Sequence, residues 1–248
     1  MKKYLPSLGF FLLLLFLWET AVRFLGIKEY ILPAPTQILQ SLGETSALLW
    51  EHSIQTISET LLGFILAIGV AIILAMLMGV FPLFKRSLYP LIVVSQTIPI
   101  MAVAPLLIIW FGYNLLPKVM VVALVCFFPI TVSLVEGLEA VDTDMVKLLL
   151  AMGASPWQVF KKVRLPGALP SFFAGLKIAA TYSIMGAIIG EWLGASKGLG
   201  VFMIRSMNSF LTARVFAAIV VISFLSLAFF ALIIVLARVV MPWQQHNS

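Results

Sequence analysis

The sequence predicts an all-α membrane protein with six transmembrane helices and one long cytoplasmic loop. Three observations carry that prediction. Of 248 residues, 62% are hydrophobic and only 10% are charged, against about 25% charged in an ordinary soluble domain. Several apolar runs reach the roughly 20 residues that a helix needs to cross a ~30 Å hydrocarbon core. One stretch, Met152 to Pro166 (M-G-A-S-P-W-Q-V-F-K-K-V-R-L-P), is polar and basic inside this apolar chain. A charged loop adds nothing to lipid contact, so its simplest use is to meet a soluble partner. Residues 1–248 are expected to form a single transmembrane domain, with no room for a separate soluble one.

The spans are expected at about 7–26, 57–80, 88–111, 117–137, 169–190 and 215–239. The first follows Lys2 and Lys3, but no small-x-small cleavage site comes after Leu17, so it reads as an uncleaved span. With the N-terminus inside, Lys2, Lys3, Lys85, Arg86, Lys147, Lys161, Lys162, Arg164 and Arg238 fall on the cytoplasmic side. Arg23, Lys28, Lys118, Lys197, Arg205 and Arg214 are spread thinly outside. This bias satisfies the positive-inside rule and places both termini in the cytoplasm. Pro33-Ala34-Pro35 breaks the chain, and Thr36 is expected to cap an interfacial helix through Leu49. The last outside segment, 191–214, has Gly194, Gly198 and Gly200 as turn points.

The net charge of +6 is no nucleic-acid signature, because the basic residues sit at the ends of apolar runs. Cys126 is the only cysteine, which excludes an intrachain disulfide and a thiolate metal site. His52 and His246 lie on opposite sides, so no metal site is expected.

Within the 139–168 loop, Asp142 or Thr143 can cap a helix running through Leu148–Met152. Gly153 ends it, as a residue able to take positive φ. Ser155 caps a second helix, Pro156 fits its first position, and Gln158 completes a capping box. Lys161, Lys162 and Arg164 fall near its C-terminus, where the helix dipole favours cations. Leu165-Pro166 is expected to stop that helix and Leu169-Pro170 to break the chain again. The product is helix–turn–helix with Leu149, Met152, Trp157 and Phe160 available to a partner. The competing reading is an amphipathic loop lying on lipid headgroups.

This loop resembles the cytoplasmic loop of integral membrane subunits of ATP-binding-cassette importers. Their pattern is Glu-Ala-Ala, three residues, Gly, nine residues, Ile, one residue, Leu-Pro. Gly153 is followed at the right distance by Val163, Arg164, Leu165 and Pro166, while Lys147, Leu148 and Leu149 replace Glu-Ala-Ala. That departure removes any polar contact the usual Glu would make. The resemblance extends to P-I-M-A-V-A-P-L-L-I-I-W-F-G (Pro99–Gly112), Phe127-Phe128-Pro129-Ile130 and G-A-I-I-G-E-W-L-G-A-S-K-G-L-G (Gly186–Gly200). These segments resemble permeases for nitrate, sulfonates, taurine and thiamine precursors. Ser95-Gln96-Thr97-Ile98-Pro99 and Met241-Pro242-Trp243 look most like permeases for hydroxymethylpyrimidine-type precursors.

The resemblance implies a multi-pass subunit of the bacterial cytoplasmic membrane that docks an ATPase through Leu149, Met152, Gly153, Ala154, Ser155, Trp157, Phe160, Leu165 and Pro166. It implies two ATPase copies, a second permease copy (a homodimer) and an extracytoplasmic solute-binding protein. This chain has no phosphate-cradling loop, since Gly194-Ala195-Ser196-Lys197 lacks the spacing and the following hydroxyl. ATP and Mg are therefore expected on the ATPase, with no cofactor held here and no enzyme activity in this chain.

Polar groups at membrane depth mark candidate path residues, because lipid exposure is costly for them. Gln96 and Thr97 sit beside Pro99, where a helix should be interrupted. Thr181, Tyr182 and Ser183 lie mid-span, with helix packing as the alternative. Glu191 ends span five, where it gates the outer mouth, contacts the binding protein or is a solvated helix-end carboxylate. Glu19 and Glu59 lie near span ends and read as structural. An intramembrane enzyme would need paired carboxylates or a Ser–Lys or His cluster at depth, and none is present. The alternative function is a stand-alone secondary transporter or channel, which would leave the 139–168 loop without a use.

Overall fold

A computed structural model describes residues 5–243. Lys2, Lys3 and His246 lie outside the described residues. Among these residues all regular structure is helical: α1 (Leu5–Phe24), α2 (Pro35–Glu44), α3 (Ser46–Val80), α4 (Pro82–Ser95), α5 (Ile100–Phe111), α6 (Leu115–Glu139), α7 (Thr143–Ala151), α8 (Pro156–Val159), a π segment (Phe160–Arg164), α9 (Leu165–Trp192), α10 (Leu199–Asn208) and α11 (Thr212–Val240). Five helical runs are long and apolar enough to cross a membrane. The expected third span is instead the pair α4 and α5, bent by 101°. At 1.5 Å per residue each is about 20 Å long, so neither crosses alone. The break falls at Gln96–Pro99, as the proline predicts: the residue before a proline is pushed out of the helical region.

Three boundaries differ from the sequence reading. Thr36 is not the cap of the outer helix; Ala34 is, with Pro35 at the first position and Gln37 Oε1 accepting from Ala34 N–H at 2.7 Å. Thr36 instead donates through its N–H and hydroxyl to the Glu19 carboxylate at 3.1 and 2.8 Å. The expected 36–49 helix is split at Thr45, and α3 begins at Ser46 instead of 57, because nothing in S-A-L-L-W-E-H-S-I-Q-T opposes helix. Leu165-Pro166 does not stop the loop helix. Leu165 N–H bonds Phe160 O, five residues back, and the chain stays helical from Pro156 to Trp192. The wider π turn passes over a proline that has no N–H to give. Pro170 is likewise carried inside α9, and Gly200 lies inside α10 instead of at a turn.

Two compact units are distinguished: Met1–Thr56 with Ser196–Phe224, and Ile57–Ala195 with Leu225–Ser248. In the first, α10 is held at its N-terminus by side chains one turn apart on α3. His52 Nδ1 accepts from Gly198 N–H and Thr56 Oγ1 from Leu199 N–H, both at 2.9 Å. These are donors that a helix start leaves without an intrahelical partner. Lys197 pairs with Glu51 at 2.7 Å, and Thr212 Oγ1 donates to Tyr30 O at 2.7 Å.

The second unit is built on α6 against α9, with Phe64, Ala67 and Ala71 of α3 and Ile233 and Ala237 of α11 in the same core. Cys126 is buried there and donates to Ala179 O at 3.5 Å. Small residues set the distance between helices. A Cβ on Gly175 would stand 2.6 Å from Pro129 O, and one on Gly63 2.4 Å from Val122 Cβ. Gly186 and Gly190 pack on the backbone of α6 at Val122 and Lys118, so this glycine row serves packing within the chain. Gly175→Ala is therefore expected to cost about 1–3 kcal/mol, because a backbone carbonyl has nowhere to move. Gly69→Ala, with nothing within 4 Å of the added Cβ, should be neutral. Thermal midpoints of the two variants in detergent check this, and equal midpoints would refute it.

Candidate functional site

Two places in the second unit gather the candidate residues. The first is a cavity of about 750 Å³ opening beside the α4–α5 break. Ser95, Gln96 and Pro99 supply the break, α6 supplies Phe127, Phe128, Pro129 and Ser133, and α9 supplies Ile178, Tyr182 and Met185. Its lining contains no Asp, Glu, Lys, Arg or His. The turn is closed by short bonds three residues apart, Thr97 N–H to Val94 O (2.9 Å) and Ile98 N–H to Ser95 O (3.3 Å). A second interruption faces it: Pro129, inside α6, gives no N–H to the carbonyl of Val125, which also lines the cavity. Irregular backbone at membrane depth is tolerated where it borders protein or a wet cavity.

Of the six path candidates, Gln96 and Tyr182 meet in this lining. Neither the Gln96 amide nor the Tyr182 hydroxyl has a hydrogen-bond partner among the described residues, so both are available to a solute. Ser95 Oγ–H is already donated to Ile92 O (2.7 Å). Thr97 and Thr181 lie outside the lining, exposed, their hydroxyls returned to Val94 O (2.8 Å) and Ile178 O (2.6 Å). Ser183 is fully buried and bonds Ala180 O at 2.9 Å, which matches the packing alternative. Glu191 is 1% exposed, so the solvated-carboxylate alternative fails: α9 continues to Trp192 and folds Glu191 inward.

The second place is the 139–168 loop. Asp142 caps α7, accepting from Asp144 N–H at 2.8 Å. Gly153 takes φ +83°, and its N–H bonds Leu150 O while Ala154 N–H bonds Leu149 O, both at 3.0 Å. This pair of bonds is a Schellman stop. One residue later, Ser155 Oγ accepts from Gln158 N–H (3.3 Å) and Gln158 Oε1 from Ser155 N–H (2.7 Å). A helix stop and a capping box therefore meet at Ala154, and the angle between α7 and α8 is fixed locally at both ends. Met152 is 75% exposed, and Ser155, Leu165 and Gly153 are exposed with it. Leu149, Ala154 and Pro166 are half-buried. Trp157, 66% exposed, stacks on the half-buried Phe160 with centroids 5.6 Å apart, and both border a groove under the loop. Met145, Leu148 and Leu150 are exposed apolar residues on α7 that the sequence reading did not single out. Their excess of exposed apolar surface on a polar loop was the signal.

A third feature was missed. Glu59 and Lys118 form a buried ion pair at 3.5 Å, with side chains 0% and 11% exposed.

The chain is similar to known transport proteins. Residues 67–244 match the family described as binding-protein-dependent transport system inner membrane components. The chain is 40% identical over 243 residues to the formylaminopyrimidine transport permease protein ThiX of Halalkalibacterium halodurans, covering 98% of this chain and 96% of that one. It is 33% identical to the riboflavin transport system permease protein RibX of Chloroflexus aurantiacus, covering 96% of this chain and 91% of that one. In fold it resembles the crystal structure of an amino acid ABC transporter with histidines, at a TM-score of 0.64 and 18% identity over 80% of this chain and 97% of that one. Apolar helical runs, a helix broken beside a cavity and the family match together show that this chain belongs to the inner membrane components of binding-protein-dependent transport systems, as a permease subunit of an ABC importer.

Proposed function

We propose that the 750 Å³ cavity is the solute path and that its solute is a small, uncharged nitrogen heterocycle, first of all a pyrimidine of the thiamine-precursor kind. One observation carries this reading: a lining mostly of aromatic and aliphatic side chains in which three polar groups, the Gln96 amide and the Tyr182 and Ser133 hydroxyls, have no hydrogen-bond partner among the described residues. The amide offers both donor and acceptor to ring nitrogens and amino groups. Phe127 and Phe128 offer ring faces. A sulfonate or nitrate would find no cation there. The pyrimidine named for the 40%-identical relative fits the same chemistry.

The chain works as a homodimer in the bacterial cytoplasmic membrane, both termini inside, with two ATPase copies below and a solute-binding protein outside. The ATPases carry ATP and Mg, and motion enters through the helices around Gly153–Ser155. The apolar surfaces of α1 and α11, almost wholly exposed, suit lipid and a second copy.

The test is ATP-driven uptake of labelled aminopyrimidine into vesicles holding the permease, its co-purified ATPase and its binding protein. Gln96→Leu removes a neutral hydrogen bond of about 1 kcal/mol, so uptake should fall roughly five-fold at unchanged assembly. Unaltered uptake in that variant would remove Gln96 from the path. Uptake without ATP would replace the importer by a secondary transporter.

A further inference from the structure

We infer that the groove beneath the 139–168 loop is a binding site for an anionic phospholipid. The groove encloses about 900 Å³ between α3, α4, α6, α7 and the Pro156–Arg164 stretch. Its floor is apolar: Met76, Leu138 and Leu150, closed on one side by the stacked Trp157 and Phe160. Its rim is basic. Lys85, Lys147 and Arg164 line it against a single carboxylate, Glu139.

The charge balance selects the occupant. Glu139 is engaged by Lys85. Lys147 reaches Asp144 at 3.3 Å, but both side chains are more than 70% exposed, and such a pair holds its charges only loosely. Arg164 has no carboxylate within ion-pair distance among the described residues. Its planar guanidinium suits the paired oxygens of a phosphate. An acyl chain on the floor and a phosphate at the Lys147–Arg164 rim match both halves of the groove. Basic pockets between spans at the cytoplasmic boundary hold anionic headgroups for this reason. Met76 belongs to the C-terminal end of α3, one of the most apolar helices of the chain, so the floor continues an apolar helix surface that suits an acyl chain. A soluble partner would have to bring an acidic apolar wedge to the same place. The site goes beyond the transport reading and rests on it only for naming the leaflet as cytoplasmic.

A lipid here would support the loop helices from below, so that Trp157 and Phe160 report its presence. The full chain is reconstituted in phosphatidylcholine vesicles containing a minority of brominated phosphatidylglycerol or, separately, brominated phosphatidylcholine. Trp157 quenching is the difference between wild type and Trp157→Phe. Quenching by brominated phosphatidylglycerol should exceed that by brominated phosphatidylcholine roughly two-fold or more, and Lys147→Gln with Arg164→Gln should level the two. Equal quenching by both lipids in the wild type would mean ordinary annular hydrocarbon and would overturn the proposal. No quenching by either would mean a groove covered by protein and would overturn it as well. A preference that survives in the double variant would remove the basic rim from the site. The assay needs neither ATP nor uptake, so a failed importer assignment leaves its result standing.

Discussion

Lys118→Met is expected to destabilise the permease by about 3–5 kcal/mol, the usual cost of stripping one partner from a buried ion pair. Lys118 Nζ lies 3.5 Å from Glu59 Oε1, with the Glu59 side chain wholly out of solvent. The pair joins α3 to α6, and Gly190 of α9 packs directly on the Lys118 backbone and Cβ. Removing the ammonium therefore takes the counter-charge from a carboxylate that has no solvent exposure. A thermal midpoint in detergent should fall steeply for Lys118→Met, while Lys118→Met with Glu59→Gln should recover most of the loss, since no uncompensated charge remains. Salt should barely change the wild-type midpoint through this pair, because screening acts on exposed charges. The Lys197–Glu51 pair is the contrast: its side chains are 59% and 54% exposed, so Lys197→Met should cost less than about 1 kcal/mol. A Lys118→Met midpoint equal to that of Lys197→Met would refute the assignment.

That pair also shows where sequence reading ran out. Glu59 and Lys118 each sit near the end of an apolar run, and taken singly each looks like a residue that reaches the interface. Their meeting is a tertiary fact, set by the close approach of α3 and α6 at Gly63. The same holds for His52 and Thr56, whose backbone partners Gly198 and Leu199 lie far along the chain. Local signals were legible. Gly153, Ser155 and Gln158 act within a few residues of themselves, so the loop hinge was written in the sequence and stands as written. The break at Pro99 was legible for the same reason. Leu165-Pro166 misled because a proline stops a regular α-helix, and here one π turn absorbs the missing donor. Trp157, 66% exposed, stays accessible on the loop beside Met152, while Phe160 is half-buried under its ring at the groove.

Gly153→Pro is expected to abolish ATP-driven uptake while leaving the permease in the membrane. Gly153 holds φ +83°, which a proline ring fixed near −65° cannot adopt. Proline also removes the N–H that bonds Leu150 O, so the Schellman stop fails and α7 loses its angle to α8. The spans do not depend on that turn: nothing lies within 4 Å of a Cβ built on Gly153, and no core packs around it. Met152→Asp tests the same surface without touching the backbone. Its side chain is 75% exposed, so folding should change by less than about 0.5 kcal/mol. Placed in a desolvated contact, an unpaired carboxylate costs several kcal/mol, enough to lose a docked partner by roughly a hundred-fold or more. The readouts are co-purification of the ATPase and ATP-dependent uptake at matched expression. Both variants should insert normally and lose both. Loss of uptake with the ATPase still bound would assign the turn to transmitting motion instead of holding the partner. Normal uptake in both variants would take the docking surface away from the 139–168 loop altogether.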